Sequence, residues 1–502
     1  MPYTLSINDR SYLRAKKYLI DLISGEVVPG ARLKHLIDKD GVILAELQPY
    51  QFLELLANTK AKGIFAESQV YCDGRDWNKA EAMILSDLVT EVDVSIFDNG
   101  IHDRRLPSFQ AYEPPHQGKL LFVSAPLFRN DRTKITPDLY ECTTNKKFDQ
   151  DKYNHLIERR LLPAFAHLQE SFRRTGKKYL FTIPGWGCGQ FAGKRQGKMG
   201  KRFQIALQTF LANHSELGDS IAAIYYDPYS ECEQSDQEIH GIPFYTRPLA
   251  HRTTTNPKPQ LCPVSEYLDG AYQDCQLATL VAADAFSHAG TDFFRLSRKT
   301  DEGVKAAATD SMTQLSGIAG QYDKTSGKYL PLENTTWRRL FKRENFKLSF
   351  ETATVCSSDG RVIPIRDYEG QACNHRFAKR CLLIDLIQKS EQLVQYWGGK
   401  KVPGKLAQEL IIDSSIKLPD SIANALENRE IMQHIDNDTV SPEQFEKHLY
   451  DALKTAINDR AKKTKGRHTK QHCSIKVLLN NPLRIRYKLA TLTRHVLHHK
   501  NP

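Results

Sequence analysis

The sequence has no run of eighteen or more apolar residues, and its start, Met1-Pro-Tyr-Thr-Leu-Ser-Ile-Asn-Asp-Arg10, has no apolar stretch behind a basic leader. Neither a membrane-spanning helix nor a Sec-type signal is expected from such a chain. Ten cysteines are scattered with no CxxC pair and no spacing that suits a metal, which fits a reducing compartment and argues against structural zinc. The patterns GxxxxGK[ST] and GxGxxG are also missing, which argues against a P-loop nucleoside triphosphatase and a dinucleotide-binding Rossmann unit. No internal repeat or low-complexity tract is present. What remains, 502 residues of which 40% are apolar and 26% charged, is enough for a full core and two or more domains.

Acidic residues are absent from one part of the chain. From Arg460 to Pro502 there are twelve Lys or Arg and no Asp or Glu, so the net charge of +11 resides in this tail. Such a block could contact an acidic partner, an anionic membrane surface or, nonspecifically, nucleic acid. A solvated basic helix packed through Val477, Leu478, Leu489 and Leu492 is the structural alternative. No aromatic interleaving favours specific nucleic-acid binding.

Residues 8 to 60 read as helices, among them Tyr12–Ile23. Strand-like apolar runs then follow at Val92–Phe97, Leu120–Ser124, Tyr179–Ile183, Ile221–Tyr226 and Leu277–Ala283, separated by helical stretches at Tyr153–Phe172 and Arg202–Leu211. This alternation predicts an α/β sandwich with a mostly parallel central sheet. Tyr245–Pro263 reads as a long surface loop. Beyond about residue 334 the pattern is helical, for example Phe377–Ile387. The expected layout is a helical extension over 1–60, a catalytic α/β domain over 61–333, and a helical region over 334–502 that carries the basic tail 460–502.

Two segments carry chemistry. Ile183-Pro-Gly-Trp-Gly-Cys-Gly-Gln-Phe-Ala-Gly193 lies between a predicted strand and a predicted helix. Gly185, Gly187, Gly189 and Gly193 let backbone approach a ligand, and the N–H groups at the helix start suit phosphate oxygens. A glycine-rich turn without a ligand is the alternative. Within this loop Cys188 is a small side chain tolerated beside a ligand rather than a nucleophile, Gln190 is a polar neighbour, and Phe191 is a candidate contact because it interrupts the glycines.

The second segment, Asp284-Ala-Phe-Ser-His-Ala-Gly-Thr-Asp292 and Thr300-Asp-Glu-Gly303, is a carboxylate cluster. Asp284 ends a predicted strand, where α/β sheets place ligands. Asp292 follows a glycine bend. Glu302 opens a helix predicted to run to Leu315, with Thr300 or Asp301 as its N-cap. Asp310, eight residues along that helix from Glu302, is expected to point elsewhere. Taken singly, the acids also suit a cap (Asp301), a turn (Asp292) and an exposed surface (Asp284). A further aspartate, Asp98, closes Val92–Phe97 as Asp98-Asn-Gly100 and suits either an Asx turn or a ligand-facing acceptor.

The run from Asp284 to Met312, with Asp-x-Phe-Ser-x-x-Gly-x-Asp and Gly-Val-Lys-Ala-Ala-Ala-Thr, resembles the macrodomain ADP-ribosyl hydrolase family of the Legionella effector MavL, and the IPGWGCGQFAG loop resembles a macrodomain phosphate loop. The resemblance covers roughly residues 60 to 333. It implies a three-layer macrodomain that hydrolyses ADP-ribose, a modification derived from NAD, from the arginine side chains of modified proteins. It also implies an effector delivered into a host cell without a Sec signal; without the resemblance a cytoplasmic enzyme is expected. The family's catalytic acids fall on Asp284, Asp292 and Glu302. Glu302 stands where the family has Asp, which leaves Asp301 as a fallback. Asp98 would accept from the adenine amino group. No cofactor and no metal are expected. A cluster of carboxylates favours a cationic guanidine substrate. The rival readings are hydrolysis of ester or polymer linkages, and an ADP-ribose reader that does not cleave.

Overall fold

A computed structural model describes residues 3–61, 70–101, 105, 109–129, 136–228, 231–247, 270–289, 298, 300–343, 352–357 and 360–370, with shorter stretches between 379 and 455. They divide into two compact units, Met1–Ile365 and Arg366–Pro502. The tail 460–502, most of Phe377–Ile387 and the greater part of the expected surface loop lie outside the described residues.

The first unit opens with strand β1 (Tyr3–Asn8) and helices α1 (Asp9–Ile23), α2 (Ala31–Asp40), α3 (Pro49–Ala57) and α4 (Lys79–Ser86). Strands β2 (Leu88–Asp98) and β3 (Ala111–Ser124), helix α5 (Pro137–Glu141), a small hairpin of β4 (Thr143–Thr144) and β5 (Lys147–Phe148), and helix α6 (Gln150–Thr175) follow. Next come β6 (Tyr179–Ile183), α7 (Met199–Asn213), β7 (Ile221–Tyr226), β8 (Ser235–Ile239), β9 (Ile242–Thr246) and β10 (Gln276–Ala283). Helices α8 (Asp301–Ala308) and α9 (Ser311–Ser316), a hairpin of β11 (Gly320–Asp323) and β12 (Lys328–Pro331), helix α10 (Trp337–Arg343), and strands β13 (Thr352–Cys356) and β14 (Val362–Pro364) follow.

Among the described residues, ten strands form one mixed sheet in the order β14-β13-β1-β2-β3-β10-β6-β7-β9-β8. The pairs β3–β10, β10–β6, β6–β7 and β7–β9 are parallel, as is β1–β13. Successive side chains alternate between faces. Leu121, Val123, Phe181 and Ile224 therefore join one buried cluster with Phe165 of α6 and Phe203 of α7, while Leu120, Phe122, Leu180 and Val281 join another with Ala308 of α8 and Leu315 of α9. This is the expected three-layer α/β sandwich.

The ends of the sheet differ from the expected layout. Residues 1–60 are not purely helical, because β1 is a sheet strand between β2 and β13. Likewise β13 and β14 lie beyond residue 333 yet belong to the same sheet, and the compact unit extends to Ile365. The reason is hydrogen bonding: an isolated Tyr3–Asn8 would present two unpaired edges, and Thr352–Cys356 covers one of them.

A buried ionic group anchors α6. Asp87 accepts from Ser11 Oγ at 2.6 Å and Arg159 Nε at 2.9 Å, and Arg160 bridges Asp87 to Asp138. Asp138 in turn accepts from Leu127 N at 2.8 Å, so this network holds the loop that follows β3. In the second unit, Leu383, Leu418, Ile422, Ile435 and Phe445 form a separate apolar core.

Candidate active site

Strands β3, β10, β6 and β7 run parallel, so their C-terminal ends share one edge. Asp284, the loop from Pro184, Asp227 and the loop from Ala125 emerge there. Strand β10 outruns its neighbour β6, since their register stops at Thr279 opposite Thr182. Gln276 N donates to Lys178 O at 2.9 Å, so the even-numbered residues of β10 point toward β6. Continuing the register sets Leu280 C=O and Ala282 N–H against Pro184, which has no N–H to give.

Helix α8 supplies both missing partners. Lys305 Nζ donates to Leu280 O at 2.7 Å, and Asp301 Oδ2 accepts from Ala282 N at 2.9 Å. The two side chains pair with each other at 2.7 Å. Pro184 O accepts from Trp186 N at 2.6 Å as the chain turns away. An ion pair thus stands in for one residue of β6, and the sheet parts between β6 and β10.

This arrangement separates the two neighbouring acids of Thr300-Asp-Glu-Gly303. Asp301 is engaged in the ladder and is not available as a third site acid. Thr300 is the N-cap, accepting from Gly303 N at 3.0 Å. Glu302, in the first turn of α8, is buried, and its charge is felt by Lys60 together with that of Asp284. Helix α8 ends at Ala308 rather than running to Leu315, because Thr309 bridges to Ile96 and Asp310 Oδ1 accepts from Ser95 N at 2.8 Å. Asp310 is therefore held on β2, not turned away along a continuous helix.

Asp284 is no surface acid; it is 5% exposed. Its Oδ1 accepts from Phe286 N and from Ser287 N at 3.0 Å, and its Oδ2 from Ser287 Oγ. Burial pushes its carboxyl above the usual carboxylate range, against the pull of these hydrogen bonds and of Lys60. Asp292 lies in a segment outside the described residues.

The glycine loop splits into two roles. Gly187 (φ +77°) and Gly193 (φ +55°) are backbone requirements, and a Cβ on Gly193 would come within 2.9 Å of Arg129 Cα. They let the loop press against Ala125–Arg129, where Phe128 N and Arg129 N donate to Phe191 O at 2.8 and 2.9 Å. Gly185 is half-buried; Gly189 and Gln190 are exposed. A Cβ on Gly189 would meet nothing within 4 Å. Gln190 Oε1 accepts from Arg129 Nη1 at 3.1 Å. Cys188 is buried, and burial pushes its thiol well up, which suits packing and not nucleophilic attack. Phe191 and Asp284 line one small cavity, with Ala125, Leu127 and Phe286. The two segments singled out in the sequence therefore meet.

Two expectations need correction. The start of α7 is not free to bind phosphate, because Gly197 N, at 2.7 Å, and Gly200 N both donate to the Glu231 carboxylate. A carboxylate of the chain itself occupies the position where an external anion was expected. Asp98 is wholly buried: Oδ1 accepts from Gly100 N at 2.8 Å, and Oδ2 accepts from Tyr322 OH at 2.6 Å and pairs with Arg298. It is the Asx-turn alternative, and it ties β2 to the β11–β12 hairpin. Asp98 also pairs with Ala111 at the start of β3, whereas the residue before Asp284 pairs with Ser124 at its end. The adenine role is withdrawn.

Lys60 was not singled out in the sequence. It follows α3, and burial lowers its ammonium to about 8 while Asp284 and Glu302 oppose the shift. No sequence pattern marks it, because a strand-like bridge between Ala61 and Ser287 brings it in from far along the chain.

A mixed sheet covered by helices on both faces, with a glycine loop and a strand-end aspartate meeting at one edge, has the architecture of a macrodomain. Over residues 3–335 the chain matches the family described as macrodomain effector MavL, and it belongs to that family. The match starts at Tyr3, so β1 lies within it. Comparison with curated proteins gives no match. Membership implies a function related to ADP-ribose, in a family described as one of effectors. No helix among the described residues is long and apolar enough to cross a membrane.

Proposed function

We propose that this protein hydrolyses ADP-ribose from arginine side chains of modified proteins, as an effector acting on a host protein. The observation that carries the reading is the meeting of Asp284 with Phe191 around one small cavity: a buried, hydrogen-bonded carboxylate lies beside the loop proposed to hold the diphosphate. The open part of that loop, half-buried Gly185 with exposed Gly189 and Gln190, is where phosphate oxygens would lie. Water adds to the anomeric carbon of the distal ribose, the C–N bond breaks, and its electron pair leaves with the guanidine nitrogen. Asp284 takes the proton from water, a role suited to a carboxyl raised by burial. That proton ends on the released guanidine. Glu302 and Asp292 are proposed to hold the ribose and the guanidinium and to stabilise positive charge at the anomeric carbon.

The test is release of free ADP-ribose from arginine-linked and ester-linked substrates side by side. Release from the arginine linkage alone supports the reading. Release from the ester alone points to a different linkage, and binding without release makes the protein a reader.

A further inference from the structure

Lys60 is fastened to the loop that carries Asp284. Ala61 N donates to Phe286 O at 2.6 Å, and His288 N donates to Ala61 O at 3.1 Å. These two backbone bonds leave Lys60 little freedom to leave the site. Its charge interacts with Asp284 from the end of β10 and with Glu302 from the start of α8. Among the described residues no hydrogen bond or ion pair of Lys60 Nζ is found, so the ammonium stands off both acids rather than clamping either.

Among the described residues, other charged and titratable groups lie on the same elements. On α8, Asp301 and Lys305 neutralise each other. On the Asp284 loop, Ser287 supplies a neutral donor, and His288 is buried nearby. Two buried carboxylates that share a site raise each other's pKa unless a cation lies near.

We propose that Lys60 is a positioning residue of the hydrolytic site, whose ammonium keeps Asp284 and Glu302 ionised together so that one can act as base while the other faces the developing cation. This rests on the hydrolase reading. It adds a residue that acts on the acids and not on the sugar. By keeping both acids ionised at neutral pH, Lys60 extends turnover to lower pH than the two acids could support alone.

The test uses the full chain with Lys60→Met, Lys60→Gln and Lys60→Arg, followed in two ways. The first is the pH profile of ADP-ribosylarginine hydrolysis. Removing the cation makes ionisation of the acids harder, so the acid limb should move to higher pH by about one unit in the Met and Gln variants, with loss of turnover near neutrality, and the Arg variant should restore it. The second needs no turnover: infrared titration of the buried carboxyl groups, with Asp284→Asn identifying the Asp284 band. The same upward shift and the same rescue by Arg are expected. A carboxyl titration unchanged by Lys60→Met or Lys60→Gln overturns the proposal, as does a limb that moves but is not restored by Arg. If the wild-type protein releases no ADP-ribose, the hydrolase reading fails by itself, and the infrared titration still decides whether Lys60 governs the acids.

Discussion

Asp284→Asn keeps the side-chain shape and an oxygen for Phe286 N and Ser287 N, but removes the charge. Turnover of ADP-ribosylarginine should fall about a hundredfold, or about 2.7 kcal/mol, with ADP-ribose affinity little changed, as kinetics and calorimetry on the same preparation would show. Gly189→Glu places a carboxylate into open space at the exposed turn of the loop. The fold should tolerate it, and ADP-ribose binding should be lost; unchanged affinity by calorimetry would move the diphosphate elsewhere. Lys60 links site and stability. Its pKa of about 8 in the folded protein, against an ordinary 10.5, means that the unfolded chain binds more protons between those values. Native stability from this group therefore rises with pH across that window. At pH 7 the half-buried, desolvated ammonium is a burden, so Lys60→Met should melt at a higher temperature than the wild type. That advantage should shrink above about pH 8 and vanish near 10.5. Asp284 was legible because a strand that ends in an acid can be read from one segment of sequence. Lys60 was not, because only the Ala61–Ser287 bridge relates it to the acids.

At the scale of elements, the sequence located the strands Tyr179–Ile183 and Ile221–Tyr226 at their observed bounds and placed the core of α6 and α7. Apolar runs bounded by turn residues are local signals. Register is not, and so the roles of Pro184, Asp301 and Lys305 could not be read in advance, nor could the break of α8 at Thr309. The Asp301–Lys305 pair is buried on the lysine side, with side chains 15% and 1% exposed. Removing one partner leaves an uncompensated charge beside unpaired backbone. Lys305→Met or Asp301→Ala should each destabilise by roughly 3 kcal/mol in denaturant unfolding, and a double-mutant cycle should show coupling between them. Additive losses would mean that the two act separately.

For the molecule as a whole, the compact unit ends at Ile365, not near residue 333. A chain ending at Ile365 should fold, bind ADP-ribose and act on a small ADP-ribosylarginine substrate. One ending at residue 333 removes β13 and leaves β1 without its partner over Thr4–Asn8; it should aggregate or melt early, as scanning calorimetry would show. The sequence missed this boundary because Thr352–Cys356 is short and its pairing partner lies at the other end of the chain. Deletion from Arg460 onward should spare small-substrate turnover. If the twelve basic residues read an acidic surface, action on the protein target should drop, and raised salt should mimic the loss.

The substitution of a side-chain ion pair for one residue of β6 makes Pro184, Asp301 and Lys305 a single structural unit. A backbone N–H at position 184 would compete with Lys305 for Leu280 O, and its carbonyl could compete with Asp301 for Ala282 N. Once those bonds form, the lysine loses its purpose and the strands can zip together. Pro184→Ala should therefore rescue part of the stability lost in Lys305→Met while narrowing the gap between β6 and β10. In relatives of this protein the proline and the lysine should be lost or kept together, and the acid beside them should follow, so that a lineage which closes this seam also gives up the opening at the strand ends.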